Sequence, residues 1–279
     1  MAVFLDYYNS SLLNYMSEGN FNDMNINKPL SQQTVIVTGG GRGLGESIVR
    51  AFAREGAKVA INYRHSAEAA QALASELGPH VQAFSADVTN PQQVHRMIED
   101  IKNSLGMPST LIHNALADFS FNGESRTHID TLSWEEIESQ FKTSAGGFLN
   151  LIQALRPVFA QTSFGRVVTI GSNLFQNPVI PYHDYTAGKA ALLSFTRTAA
   201  KELGHLGVTV NMVSGGLLRT THASSATPEA VFELIASQTP LGHVTTPDEL
   251  ADAVLFFASP WARAITGQNL IVDGGLVFG

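Results

Sequence analysis

The chain contains no cysteine. Disulfides, thiolate metal sites and a cysteine nucleophile are thereby excluded, and a reducing compartment suits the composition. Charged residues are also few, at 15% of 279 residues, and acidic side chains outnumber basic ones to leave a formal charge of -7. That balance argues against non-specific nucleic-acid binding and against docking on an acidic membrane surface. No apolar run reaches the ~18 to 20 residues needed to cross a bilayer. The nine histidines show no HExxH-like spacing, so no metal site is expected. Residues 1–30 lack basic side chains before Lys28. They have neither the positive start of a secretory signal nor the arginine-rich face of a transit peptide, and a cytoplasmic location is expected. This extension instead carries Phe4, Tyr7, Tyr8, Tyr15 and Phe21. So many aromatics suit a segment packed on the domain or on a neighbouring subunit better than a loose tail.

What is present is a regular alternation from residue 31 onward. TVIVT reads as a short β-branched strand, followed by a glycine loop and an amphipathic helix stopped by Gly56. KVAINY, HVQAFSA, STLIHN, GRVVTIGS, GVTVNMVS and NLIVD read as six further strands. Helices separate them, with starts expected at Ser66, at Asn90 before Pro91, at the capping box Ser133 to Glu136, and at Thr246 before Pro247. The second half of the pattern includes one long helix over residues 134 to 161 and another over 183 to 203. Strand, helix, strand throughout implies right-handed crossovers and a parallel sheet covered on both faces. The expected fold is therefore α/β, a single doubly wound Rossmann-type domain over residues 31–279, with ligands at the carboxyl ends of the strands.

Two stretches carry chemistry. Thr38-Gly39-Gly40-Gly41-Arg42-Gly43-Leu44-Gly45 lies between the first strand and the first helix. Without Cβ atoms at Gly39, Gly43 and Gly45, backbone amides and a helix N-terminus can approach a pyrophosphate. The other stretch runs from Ser172 to Lys189. Tyr185 and Lys189 are one helical turn apart, so a phenol and an ammonium leave the same helix face. A nearby cation favours the phenolate and is expected to bring a tyrosine, ordinarily near pKa ~10, toward the range of neutral acid–base work. Ser172 ends a buried strand, where its hydroxyl can hold a carbonyl oxygen for the tyrosine.

The spacing TGxxxGxG, together with Ser172, Tyr185 and Lys189, closely resembles the short-chain dehydrogenase/reductase family over roughly residues 33 to 279. Asp87-Val88, Asn114-Ala115, Asn211 and Asp273-Gly274-Gly275 match further marks of that family. Within it, the overall resemblance is to bacterial 3-oxoacyl-[acyl-carrier-protein] reductases. The resemblance implies that Tyr185 is the acid in ketone reduction, that Lys189 binds the nicotinamide ribose and lowers the phenol's pKa, and that Ser172 orients the carbonyl. It places Asp87 and Val88 at the adenine, and Leu218 and Thr220 near the carboxamide and phosphates. Hydride passes directly between coenzyme and substrate, with no metal. Other small ketones, 3-oxo esters, sugars or secondary alcohols stay open as substrates, as does a non-catalytic NADP-binding protein.

The coenzyme expected is NADPH. Relatives preferring NAD end the second strand in an acidic residue that binds the ribose hydroxyl. Here that strand ends Asn62-Tyr63-Arg64, and Arg42 sits in the glycine loop. Two guanidinium groups suit a 2′-phosphate.

Three departures from the family pattern stand out. The chain reads His113-Asn114-Ala115-Leu116 for NNAG and Gly215-Gly216 for Pro-Gly, and it has Ser144 where many members place an asparagine that completes a proton relay. Leu174, Phe175 and His183 are candidate pocket residues, with loop packing as the alternative for the first two and a solvent-facing or structurally bonded ring for the third; the loop over residues 115–130 is expected to close one side, and residues 214–243 resemble the family's mobile substrate lid. Apolar positions Phe148, Leu151, Leu155, Leu192 and Phe195 suggest helices paired between subunits, as in a family homotetramer. Docking of an acidic acyl carrier protein is doubtful, because the positions of the family's two docking arginines are Ser163 and Leu206.

Overall fold

A computed structural model describes residues 27–117, 119, 121, 126–221 and 223–278. The aromatic residues of the N-terminal extension lie outside the described residues, so the packing expected for them has no counterpart here.

Seven parallel strands form one sheet in the order β3-β2-β1-β4-β5-β6-β7. They are β1 (Thr34–Thr38), β2 (Lys58–Tyr63), β3 (Val81–Ser85), β4 (Thr110–His113), β5 (Gly165–Ser172), β6 (Val208–Gly215) and β7 (Asn269–Val272). The helices are α1 (Gly43–Arg54), α2 (Ala67–Leu77), α3 (Pro91–Ser104), α4 (Trp134–Phe141), α5 (Gly147–Thr162), α6 (His183–Leu203), α7 (Glu229–Gln238) and α8 (Pro247–Ala258). Strand order reverses between β1 and β4, which opens a crevice above their carboxyl ends.

Alternation along each strand builds two cores. Val35, Val37, Val59 and Ile61 face α1, α2 and α8, meeting Ile48, Phe52, Leu73 and Val254. Ile36, Ala60, Leu111 and Val210 face the opposite layer, meeting Ile98, Phe148, Leu151, Leu155 and Leu192 from α3, α5 and α6. This second layer corrects the sequence reading of surplus apolar surface. Phe148, Leu151, Leu155 and Leu192 are at most 1% exposed, and truncating such a side chain to alanine costs about 2–5 kcal/mol. They are core residues. Trp134, at 67%, Leu149, at 41%, and Phe195, at 38%, are the large apolar side chains that residues 134–161 and 183–203 leave exposed.

Local signals fare unevenly. The Asn90 side chain accepts from the Gln93 amide, and reciprocal capping boxes open α4 at Ser133 and α8 at Thr246. Ser66 precedes α2 without capping it through its side chain. The long helix expected over residues 134–161 is interrupted by a π turn, Lys142–Gly146, which separates α4 from α5. Such a turn frees a backbone carbonyl from the helical ladder.

Candidate active site

The glycine loop is shaped for an anion. Gly39 and Gly43 have φ of +62° and +56°, the left-handed region where a side chain is strained. A Cβ on Gly45 would overlap the Gly39 carbonyl oxygen and come within 2.8 Å of Asn114 Nδ2. No side chain caps α1, so its first amides face the loop unpaired, as a pyrophosphate site requires. The loop is also pinned from below. The Thr38 hydroxyl accepts from the amides of Asn114 and Ala115 at 3.0 and 2.9 Å, while Asn114 Nδ2 donates to the carbonyls of Thr38 and Gly39.

Two cavities meet on this loop, sharing Gly39, Arg42 and Leu116. The smaller, about 200 Å³, is walled by Asn62, Tyr63, Arg64, Asp87, Val88 and Ala115 as well. Arg64 pairs with Asp87 at 3.2 Å. Burial raises the Asp87 pKa, but the Thr89 hydroxyl and amide and the Arg64 charge outweigh it and hold the carboxyl below its usual range. The larger cavity, about 520 Å³, takes in Gly43, Leu44, Gly45, Asn114, Tyr185, Lys189 and Leu218. The donor set, the glycine cradle and the two arginines on the smaller cavity thus fit an adenine dinucleotide lying across both spaces. Thr220 is exposed and lies off the wall, where Thr221 stands instead.

Tyr185, Lys189 and Ser172 come together where β5 ends against α6. The Ser172 hydroxyl accepts from the Leu174 amide at 3.2 Å and lies close enough to the Tyr185 phenol to favour its ionised form. Lys189 Nζ donates to the Ile170 carbonyl at 2.7 Å and lies 5.7 Å from the Tyr185 ring centroid. Both titrating side chains are buried, 6% and 3% exposed. Burial dominates their ionisation, pushing the phenol up to about 12 and the ammonium down to about 8. The sequence argument expected the lysine to pull the phenol down. In the protein alone desolvation raises the phenol, only Ser172 opposes it, and the tyrosine is held as the neutral acid.

Ser144 lies in the π turn, 1% exposed, and its carbonyl meets His113 Nε2 at 2.9 Å. A carbonyl only accepts, so Nε2 carries the hydrogen and Nδ1 faces the Thr38 hydroxyl at 3.4 Å. Burial holds the His113 pKa down at about 4, so the ring is neutral. The histidine that departs from NNAG and the serine that departs from the relay asparagine are therefore partners in one contact.

The substrate side is walled by the two segments the sequence pointed to, the loop after β4 and the stretch after β6, but not by the individual candidates near Tyr185. Leu174, Phe175 and His183 do not line either cavity, and Phe175 packs against the core beneath α5 and α6. The wall is made instead by Phe119, Phe121 and Arg126 from the loop after β4, and by Thr221 and Ala223 after β6. Phe119 stacks on Tyr185 with centroids 4.6 Å apart. The Phe121 amide donates to the Ala223 carbonyl at 3.0 Å, joining the two loops above the site. The sequence signal for this wall is Phe-Ser-Phe at 119 to 121, since aromatics in a long loop need something to cover. Asn211 and Asp273 turn out to brace the scaffold: Asn211 Nδ2 donates to the Ile265 carbonyl, and Asp273 accepts from Asn173 and from the amides of Gly275, Leu276 and Val277.

Comparison with known proteins agrees with this geometry. A family model described as "Enoyl-(Acyl carrier protein) reductase" matches residues 39–277. The chain is 32% identical over 255 residues to the 3-oxoacyl-[acyl-carrier-protein] reductase of Synechocystis sp., covering 89% of this chain and 98% of the relative. It is 31% identical over 242 residues to the enzyme of the same name from Escherichia coli, covering 86% and 96%. A crystal structure of a dehydrogenase/reductase from Sinorhizobium meliloti superposes with a TM-score of 0.79 at 28% identity, over 91% of this chain and 98% of that one. Among the described residues no helix is long and apolar enough to cross a membrane. With the sheet order, the glycine cradle and the serine, tyrosine and lysine in place, the chain belongs to the short-chain dehydrogenase/reductase family, as an oxidoreductase of C=O and CH–OH groups.

Proposed function

We propose that the protein is an NADPH-dependent reductase of 3-oxo esters or thioesters that stand free of a carrier protein. The observation that carries this reading is the meeting of Tyr185 and Lys189 on the wall of a cavity shared with the glycine loop, with the buried Ser172 side chain beside the phenol. The reduced nicotinamide supplies the hydride. The amides around Gly39, Gly43 and Gly45 hold the pyrophosphate, Asp87 and Val88 border the adenine, and Arg42 and Arg64 bind the 2′-phosphate. Tyr185 and Lys189 bind the nicotinamide ribose. The Ser172 hydroxyl orients the ketone oxygen, and the Tyr185 phenol gives its proton to that oxygen as charge develops. A phenol held neutral by burial suits the reductive direction at neutral pH, whereas alcohol oxidation needs the phenolate and gains as pH rises.

A neutral phenol on the cavity wall, with a serine side chain beside it, favours a carbonyl oxygen over the C=C bond that the matched family model's description names. Free-standing substrates are favoured because, of the three cations near Ser163 and Leu206, Arg166 is 1% exposed and donates to the carbonyls of Gly165 and Gly207, which leaves only the exposed Arg197 and Lys201 on α6 to face an acidic carrier. Arg166 is a structural cation, out of reach of such a carrier. Replacing Tyr185 by phenylalanine tests the mechanism: turnover of a 3-oxo ester with NADPH falls by about 10²- to 10⁴-fold while NADPH binding persists. Wild-type turnover in that variant refutes the assignment.

The homotetramer expected from the family rests on exposed Leu149 and Phe195 and on the open edge of β7, flanked by exposed Trp261, Leu270 and Phe278. The mass in solution at micromolar concentration reads it, and a monomer contradicts it.

A further inference from the structure

The loop after β4 brings into the substrate cavity a cation that the chemistry above does not use. Arg126 lines the same wall as Tyr185, Phe119 and Phe121. Its Nη2 donates to Asp184 Oδ1 at 2.5 Å, with the two side chains 18% and 10% exposed. The guanidinium carbon lies 4.4 Å from the Phe119 ring centroid and 5.4 Å from that of Tyr182. Its Nε is buried and has no hydrogen-bond partner among the described residues. A buried donor on a charged group is among the costlier groups to leave unpaired. Its place beside the catalytic tyrosine points to an acceptor that arrives with the substrate.

The surroundings decide which acceptor. Asp184 already neutralises the guanidinium, and it directly precedes Tyr185 in the chain. A substrate carboxylate would be repelled by Asp184 and would lose its hydration against Phe119, Phe121 and Tyr182. A neutral carbonyl meets neither penalty and still accepts from Nε.

We infer that Arg126 binds substrate, donating from Nε to the second carbonyl of a 3-oxo ester or thioester while Tyr185 and Ser172 serve the ketone. The cavity then selects neutral 1,3-dicarbonyl compounds and rejects the corresponding free 3-oxo acids, through Asp184. This rests on the reading that the reaction is ketone reduction, and it adds the residue pair that chooses the ketone.

The test compares kcat/KM with NADPH for an ethyl 3-oxo ester, for the ether analogue in which a methylene replaces the ester carbonyl, and for the free 3-oxo acid. The wild type prefers the ester over the ether by about 10- to 100-fold, and uses the acid least. Arg126→Ala brings the ester-to-ether ratio close to one, mainly through KM. Arg126→Met, which keeps the stem packed on Phe119, does the same. Asp184→Asn retains the ester-to-ether preference and improves use of the acid. Equal losses on ester and ether in both Arg126 variants overturn the inference, since a residue that only ties the loop down to α6 cannot tell the two apart. So does a wild-type preference for the acid. Absence of turnover on all three compounds refutes the reductase reading instead, and the ester-to-ether ratio of dissociation constants from the NADPH-loaded protein then decides Arg126.

Discussion

Lys189 is the residue whose burial costs the fold most visibly, and its replacement by methionine measures that cost. The side chain is 3% exposed, and burial alone brings its pKa from 10.5 down to about 8. A lysine with a depressed folded pKa binds fewer protons in the native chain than in the unfolded one between about pH 8 and 10.5. Stability therefore rises with pH through that window. A shift of this size corresponds to about 3 kcal/mol of destabilisation at neutral pH, of which about 1 kcal/mol is recovered between pH 7 and 9. Lys189→Met removes the term. It also strips the Ile170 carbonyl of its 2.7 Å hydrogen bond, at a cost of about 1–3 kcal/mol, so at pH 7 the variant is expected to lie close to the wild type. The informative quantity is the pH dependence of the difference. Denaturant unfolding of both proteins at pH 7 and 9, at one protein concentration, should show the wild type gaining about 1 kcal/mol on the variant. Other titrating groups cancel in that comparison. Tyr185 does not intrude, because its raised pKa of about 12 makes it lose stability only above pH ~10. A difference that stays constant from pH 7 to 9 refutes the depressed lysine.

Replacing Arg42 and Arg64 by alanine should lower kcat/KM with NADPH while leaving NADH little affected, and equal or better wild-type efficiency with NADH contradicts the assignment of the smaller cavity. Gly45→Ala puts a methyl into the Gly39 carbonyl and against Asn114, so coenzyme binding measured by fluorescence titration should be lost, with a lowered melting temperature; normal binding would mean that the loop can open at no cost.

Much of the scaffold is readable because parallel strands buried on both faces appear as β-branched apolar runs, and because glycines clustered at a strand-to-helix turn mark a close backbone approach. KVAINY and TVIVT coincide with β2 and β1 to the residue. Capping boxes at Ser133 and Thr246 are equally plain, being local reciprocal bonds. The π turn is not legible, since Lys142 to Gly146 continue a helical composition and the turn is held by His113, distant in sequence. Individual pocket residues escape sequence reading for the same reason, although the loop after β4 and the stretch after β6, both expected at the pocket, supply its wall. Nearness to Tyr185 in the chain points to His183, Leu174 and Phe175, whereas the wall comes from Phe119 and Arg126, more than 50 residues away. The apolar count on α5 and α6 misleads because a helix wedged between a sheet and another helix buries a wider stripe than one lying on a sheet alone.

The knot at Thr38 sets a boundary on how this protein can change. One hydroxyl and one carboxamide fasten the ends of β1 and β4 together at Asn114 and Ala115, and every residue of the substrate-facing loop starts downstream of that clasp. Substitutions from Ala117 onward therefore vary the wall over Tyr185 from a fixed origin, whereas Leu116 borders the coenzyme space as well. A new substrate range is thus open to loop replacement beyond Leu116, whereas a change at Thr38 or Asn114 disturbs both halves of the site at once.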